Sequence, residues 1–101
     1  MNGIEALSAC KTSPAVAKLL RGEMDRNGVN LKGERMNPCG CPIAKYLTYR
    51  NEGTTVNVIT SAAYFTPPTS SEHATYVKLP TPVSDFIRSF DKGRYPDLVI
   101  S

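Results

Sequence analysis

The sequence predicts a small single α+β domain over residues 1–101, with an antiparallel sheet of two to three strands packed against about three helices. Apolar residues recur at helical spacing in two segments before residue 51. A stretch rich in β-branched and aromatic residues covers 54–79, and a strongly amphipathic segment follows from 81. Because helical and strand segments are separated along the chain, we expect helices on one face of the sheet. A length of 101 residues fits one domain.

Two helices are predicted ahead of the sheet, besides one weak helical turn within residues 1–11. The first begins at Ser13 and Pro14 and ends at Gly28, since serine is a good N-cap and proline is tolerated in the first turn. The second begins after Cys41, with proline again in the first turn, and ends within 51–53. The mostly polar residues 29–37 between them are predicted to form a loop.

Three strands are predicted at 54–60, 62–66 and 74–79, with a hairpin joining the last two across the Pro/Ser-rich residues 67–73. The last helix is predicted to be capped by Thr81, with Pro82 in its first turn and Asp85 near its positive end. Its apolar stripe consists of Val83, Phe86, Ile87 and Phe90. Gly93 ends this helix, and the apolar residues of 95–100 are expected to pack back on it.

The CGC motif at 39–41 admits three interpretations. A metal site would need Cys10 and His73 to complete a ligand set, although neither is paired in sequence. A redox pair usually has two residues between the cysteines, whereas Cys39 and Cys41 have one. The third interpretation places Cys41 at the N-cap of a helix, where the helix dipole would lower its pKa. An exposed Cys41 would then be a reactive thiol.

Charge is spread unevenly along the chain. The net charge is +3, with a balance of +4 over residues 1–50 and −1 over residues 51–101. A basic first half is compatible with nucleic-acid binding. An aromatic and basic surface is one candidate for such binding, formed by Tyr46, Tyr49, Tyr64, Phe65, Tyr76, Lys45, Arg50 and Lys78.

Signatures of catalysis and of membrane insertion are not found in the sequence. It has no phosphate-binding glycine loop and no nucleophile elbow beside its single histidine. We therefore predict no enzymatic activity, no catalytic or metal-ligating residues and no cofactor. With three cysteines and no apolar run long enough to span a bilayer, we expect a cytoplasmic protein that does not bind membranes.

Two motifs resemble those of small uncharacterised proteins of actinobacteria and their phages. One is CPIAKYL at 41–47; the other comprises LP at 79–80, FI at 86–87 and FDKGRYPDL at 90–98. Together they cover about a third of the chain. The resemblance implies a small cytoplasmic or phage-encoded protein and carries no known activity.

The leading functional hypothesis is a regulatory protein that acts by contact with another protein. Loops held by a rigid scaffold are common contact sites, which points to the segments 27–37 and 67–73. The predicted contact residues are Arg26, Asn27, Lys32, Glu34, Arg35, Ser70, Glu72 and His73. The alternatives are a nucleic-acid-binding regulator that uses the basic first half, and a thiol- or metal-dependent function through Cys39 and Cys41.

Overall fold

A computed structural model describes residues 3–34, 40–51, 54–66 and 75–99. Within these ranges the chain forms four α-helices, three β-strands and a short 3-10 helix. The predicted α+β class is confirmed. In chain order the elements are α1 (Ile4–Ser8), α2 (Ser13–Asn27), α3 (Pro42–Arg50), β1 (Thr55–Ile59), β2 (Ala62–Thr66), β3 (Thr75–Lys78), α4 (Thr81–Asp91) and the 3-10 helix Pro96–Leu98.

The start of α2 lies next to the predicted cap. Thr12 is the N-cap, with an extended backbone and an Oγ1 atom that accepts a hydrogen bond of 3.2 Å from the Ala15 N–H. Ser13, predicted to be the cap, is the first helical residue, and its Oγ instead shares a hydrogen bond of 2.8 Å with the Tyr95 hydroxyl. The predicted end at Gly28 is confirmed, because this residue caps the helix with φ 66°.

The predicted cap of α4 is wrong. Pro80 is the N-cap and offers no side-chain acceptor, while Thr81 is already helical. Asp85 consequently lies beyond the first turn, away from the orphan N–H groups, and its Oδ1 accepts a hydrogen bond of 3.2 Å from Arg88. The end of the helix is as expected, since Gly93 follows directly after the cap with φ 84°.

The sheet is antiparallel with strand order β1-β2-β3. β1 and β2 are joined by the two residues Thr60 and Ser61, and the predicted pairing of the last two strands is confirmed. Strand side chains alternate between two faces. The inner face contributes Val56, Val58, Ala63 and Phe65 to the hydrophobic core.

The helices complete this core from the same side. α3 lies against β1, and α2 packs against α4. The apolar stripe of α4 is buried as predicted. Residues 95–99, which we call the tail, also pack back on the last helix and the core as predicted. Leu98 is fully buried, and the Tyr95 ring centroid lies 4.9 Å from that of Phe86. No helix in the described part of the chain has the length and apolarity needed to cross a membrane.

The residues that follow α2 form a loop, as predicted, but contacts with other segments hold it in place. We call residues 29–34 the extended segment, because Gly33 pairs with Val99 in a β-bridge. Leu31 is buried in the core, and Gly33 is buried beside the tail. The Gly33 N–H donates to the Leu98 carbonyl over 2.8 Å, and Gly33 and Val99 form a parallel β-bridge. The Glu34 N–H donates to the Gly40 carbonyl, also over 2.8 Å. The segment therefore joins the start of α3 to the tail.

Candidate interaction surface

The outer face of the sheet exposes large side chains to solvent. We define the outer sheet face as Thr55, Asn57, Ile59, Ala62, Tyr64, Thr66, Tyr76 and Lys78, the residues that alternate with the inward-facing ones. Tyr76 is 57% exposed and Ile59 is 44% exposed. They are two of the three large apolar side chains that the described residues expose, and the third is Tyr49 on α3.

Two rows of side chains cross the outer sheet face. In one row, Tyr64 lies between Asn57 and Tyr76 on the neighbouring strands. The rings of Tyr64 and Tyr76 are 5.4 Å apart and inclined at 65°, an edge-to-face contact. In the other row, Ala62 lies between Ile59 and Lys78. The two tyrosines therefore hold each other in a defined position on the exposed surface.

The outer sheet face carries little charge. Lys78 is its one charged residue, and the remaining positions are aromatic, aliphatic or uncharged polar. Protein interfaces are depleted of charge at their centre and enriched in aromatic residues. A groove for single-stranded nucleic acid, in contrast, needs several cations along the backbone path. The composition of this face therefore resembles that of a protein interface more than that of a nucleic-acid groove.

The predicted aromatic and basic surface does not form as a whole, because its eight residues are divided between the outer sheet face, the core and α3, which carries Lys45, Tyr49 and Arg50. Tyr46 is fully buried and Phe65 is 8% exposed, because both point into the core. Tyr64, Tyr76 and Lys78 do come together on the outer sheet face. Sequence reasoning missed Ile59 and Asn57 as members of this surface, although the period-2 alternation along β1 is a signal that places both opposite Val56 and Val58.

Two of the predicted contact residues, Arg26 and Asn27, donate hydrogen bonds to a buried carboxylate. Glu23 is 7% exposed, and its Oε2 accepts a hydrogen bond of 2.7 Å from the Asn27 amide. Its Oε1 accepts a longer hydrogen bond of 3.4 Å from Arg26. A buried carboxylate needs such partners, so both side chains stabilise the end of α2. Each remains exposed enough to contact a ligand as well.

Arg26 also borders a shallow depression along α2. This open groove has a volume of about 500 Å³, and Ala15, Leu19 and Gly22 are among the residues that line it. The Arg26 guanidinium folds back over Gly22. All the described residues in its lining belong to one helix, so the depression is a surface feature of α2 rather than a cleft between elements.

Lys32 and Glu34 lie on the extended segment and point outward. They are exposed, whereas Leu31 and Gly33 beside them are buried. The hydrogen bond from Arg21 is the main cause that lowers the pKa of the Asp97 carboxyl, and the nearby charge of Lys32 adds to the effect. The other predicted contact residues, Arg35, Ser70, Glu72 and His73, lie outside the described residues, and their role stays a prediction.

Cys41 is the N-cap of α3, as predicted, but its chemistry differs from the expectation. Its Sγ accepts a hydrogen bond of 3.4 Å from the Ala44 N–H, and the residue is 4% exposed. Burial raises the pKa of the Cys41 thiol to about 11, and backbone N–H groups of the helix start lower it only in part. The expected lowering of this pKa is therefore wrong, because desolvation of the thiolate outweighs the helix dipole. A buried thiol of this kind is a poor nucleophile at neutral pH.

The described residues offer no metal site. They contain no group of three or more Cys, His, Asp or Glu side chains that could hold an ion. Cys10 is partly buried, its Sγ donates to the Ala6 carbonyl over 3.5 Å, and burial raises the pKa of its thiol. Cys39 and His73, which the metal interpretation requires, fall outside the described part of the chain.

Tyr46, which the sequence predicted to be part of an aromatic and basic surface, is instead a buried polar group. Its side chain is fully buried, and its hydroxyl is the one buried side-chain oxygen or nitrogen without a hydrogen-bond partner in the described part of the chain. Burial raises the pKa of this hydroxyl. An unpaired buried hydroxyl costs stability, and no sequence pattern signals it, because it depends on which neighbours surround the ring.

Comparisons of the chain with protein-family models, with curated proteins and with solved structures find no match.

Proposed function

We propose that this chain is a binding protein without enzymatic activity and that its outer sheet face contacts another protein. The observation that carries the proposal is Tyr76, which is 57% exposed while its ring is held edge-to-face against Tyr64. An aromatic side chain that is already positioned loses little conformational entropy on binding. Tyrosine is also among the residues that most often dominate binding energies at protein interfaces.

The surroundings of Tyr76 support a protein ligand. Ile59 adds exposed aliphatic area in the neighbouring row of the same face. Thr55 and Thr66 at one end of the face, and Asn57 beside Tyr64, supply uncharged polar groups. Aromatic and apolar groups next to uncharged polar ones are common at protein interfaces. Lys32 and Glu34 remain candidate contact residues at a second surface.

The motif resemblance to small actinobacterial and phage proteins stays a prediction, and it agrees with this proposal. Such a protein would act as an accessory factor that changes the behaviour of a host protein by contact.

The proposal is tested by comparing three forms of the purified tagged protein as bait in a nuclease-treated, reducing lysate of the native host. They are the unmodified chain, Tyr76→Ser and Tyr49→Ser. Tyr49 is 40% exposed on α3 and is the matched control, because it is a tyrosine of similar exposure that does not belong to the outer sheet face.

We expect a protein that binds the unmodified chain and Tyr49→Ser alike. Its affinity, measured with the purified partner, is expected to fall about 30-fold with Tyr76→Ser, the effect of a hot-spot residue. Unchanged affinity for Tyr76→Ser together with loss for Tyr49→Ser would place the contact elsewhere and overturn the proposal.

Binding of single-stranded nucleic acid is a second candidate function, favoured by the proximity of Tyr64, Tyr76 and Lys78 on one face. Bases stack on exposed aromatic rings, and a lysine can contact phosphate. Two arginines of the basic first half are already paired with carboxylates, however, since Arg21 binds Asp97 and Arg26 binds Glu23. They are therefore less able to bind phosphate.

Fluorescence anisotropy of a labelled single-stranded oligonucleotide tests this candidate. Binding through the outer sheet face should weaken steeply between ~50 mM and ~200 mM salt and should fall with Tyr76→Ser. Binding that is independent of salt, or unaffected by the substitution, would contradict it.

A further inference from the structure

β3 lies at the edge of the sheet. One of its sides pairs with β2, and the other side, which we call the open edge, pairs with no strand in the described part of the chain. The Leu79 N–H donates to the Ser61 carbonyl over 2.9 Å, in the register that also places Val77 opposite Ala63. In an antiparallel ladder the hydrogen-bonded pairs recur at every second residue. Thr75 and Val77 therefore direct their backbone groups toward β2, whereas Tyr76 and Lys78 direct theirs toward the open edge.

This edge is complementary to itself in one antiparallel register. When Val77 faces Val77 of a second copy, Tyr76 faces Lys78 of that copy and Lys78 faces its Tyr76. Both facing pairs consist of the residues whose N–H and C=O groups point outward, so each pair can exchange two backbone hydrogen bonds. The side chains match as well, because valines meet on the inner face and a lysine meets a tyrosine ring on the outer face.

We propose that two copies of this chain associate through β3, antiparallel about a two-fold axis at Val77, to form a continuous six-stranded sheet. Val77 packs against the core but is only partly buried, so pairing would cover its remaining exposed surface. Tyr76 is 57% exposed and would gain a lysine neighbour on its open side. The occupant of the edge is a second copy, because in this register the side chains match as well as the backbone groups, with Val77 facing Val77 and Lys78 facing Tyr76.

Lys78 selects the register of this pairing. Lysine on an edge strand commonly opposes edge-to-edge association. A register that places Lys78 opposite Lys78 of the second copy would bring like charges together. The register centred on Val77 avoids that contact and places the Tyr76 ring opposite the ammonium group.

The dimer would enlarge the outer sheet face. Three strands of five, five and four residues span roughly 250 Å² in projection, at about 4.8 Å between strands and about 3.4 Å per residue, against the ~800 Å² that each partner buries in a standard interface. Two copies in one sheet would double this area and place two Tyr64–Tyr76 pairs on one surface. The association itself is independent of the proposed function, because it can be measured without any partner protein.

Disulfide cross-linking tests the register. Val77→Cys and Tyr76→Cys are each made in the full chain carrying Cys10→Ser and Cys39→Ser, which leaves only the buried Cys41 as a native thiol. In the proposed register the Val77 Cα atoms face each other at about 4.5 Å, within disulfide range, and those of Tyr76 are about 8 Å apart, outside it. We expect Val77→Cys to form a cross-linked dimer under mild oxidation and Tyr76→Cys to stay monomeric.

Sedimentation tests the association in the reduced protein. Over about 10 µM to 1 mM chain we expect the average mass to rise above 11.0 kDa toward twice that value. Lys78→Pro removes an edge N–H and should abolish this rise, since proline is tolerated where the N–H faces away from the sheet. Lys78→Thr keeps the N–H and should retain the rise, and circular dichroism of both variants verifies that they fold.

Several results would overturn the proposal. A mass that stays at the monomer value throughout, with no cross-link through Val77→Cys, excludes pairing through β3. Cross-linking of Tyr76→Cys without cross-linking of Val77→Cys excludes the register. Equal association of Lys78→Pro and Lys78→Thr places the contact between copies elsewhere on the molecule.

Discussion

Gly33 occupies a position where the backbone of a neighbouring segment leaves no room for a side chain. A Cβ atom there would collide with the Gly40 carbonyl oxygen and lie 2.7 Å from both the Cys41 carbonyl carbon and the Pro42 nitrogen. These are backbone atoms that cannot rotate away. Gly33→Ala should therefore separate the extended segment from the start of α3 and lower the free energy of unfolding by about 3 kcal/mol, the cost of severe overpacking.

Urea denaturation of Gly33→Ala beside Gly28→Ala tests this prediction. Gly28 has φ 66°, and a methyl group added to it would have no neighbour within 4 Å, so its substitution carries only the cost of the left-handed backbone. That cost is about 1 kcal/mol. A smaller loss for Gly33→Ala than for Gly28→Ala would show that the segment 29–34 is free to move.

The raised pKa of the buried Cys41 thiol predicts that the folded chain loses stability at alkaline pH. This thiol has a pKa of about 11 in the folded chain, against an ordinary value of 9.0. Below pH 9 the thiol is protonated in both states and has no effect on stability. Between pH 9 and about 11 the unfolded thiol ionises while the folded thiol keeps its proton, so the unfolded state gains stability and the protein loses about 2 to 3 kcal/mol.

The measurement is the free energy of unfolding of the unmodified chain and of Cys41→Ala from pH 7 to 11. Tyrosine ionisation contributes to both proteins, so the difference between their pH slopes isolates the thiol. We expect the unmodified chain to lose more stability above pH 9 than the variant. Parallel curves would show that the thiol is not desolvated in the folded state.

The sequence predicts the position of Cys41 at a helix start, but it does not predict which segments pack around Cys41 and Gly33. The N-cap position of Cys41 is predictable because capping depends on neighbours within one turn. The direction of its pKa shift is not, since burial depends on segments that are distant in sequence. The role of Gly33 is not predictable for the same reason, because its contacts are with residues 40–42 and 98.

The helices and strands themselves are predictable, since each has a periodic pattern that local physics enforces. β2 occupies the predicted residues 62–66, and β1 and β3 lie inside their predicted ranges. The errors are at helix starts, where Thr12 and Pro80 replace the expected caps. Two adjacent residues of similar propensity, such as Thr12 and Ser13, cannot be separated by pattern alone.

The pairing of β2 with β3 predicts a measurable coupling between Tyr64 and Tyr76. Their edge-to-face contact at 5.4 Å is an aromatic cross-strand pair. A double-mutant cycle with Tyr64→Ser, Tyr76→Ser and both together should give a favourable coupling free energy of about 0.5 to 1 kcal/mol by chemical denaturation. A coupling of zero would mean that the two rings are not held against each other in solution, which would also remove the main support for the outer sheet face as a positioned surface.

At the scale of the whole molecule, the order of helical and strand segments predicts the fold class. It does not predict how the tail attaches to α2. The tail joins α2 through the Ser13–Tyr95 hydrogen bond and through Arg21, which binds Asp97 over 2.7 and 3.0 Å. These contacts join residues about 80 positions apart, and no local pattern predicts them. Only the apolar character of the tail indicates its packing, and Leu98 and Tyr95 confirm that expectation.

The last prediction separates the apolar and ionic contributions to the stability of the contact between the tail and the rest of the molecule. The Arg21 and Asp97 side chains are 45% and 52% exposed, so water and salt screen their attraction, and we expect Arg21→Ala to cost at most about 1 kcal/mol. Leu98 is fully buried, and Leu98→Ala should cost about 3 kcal/mol. Thermal and urea unfolding of both variants at low salt and in ~1 M salt measures these costs, because only the ionic contribution should fall at a Debye length of about 3 Å. If Arg21→Ala were the more damaging change, or if high salt strongly destabilised the unmodified chain, the tail would be held by its ion pair rather than by its apolar core.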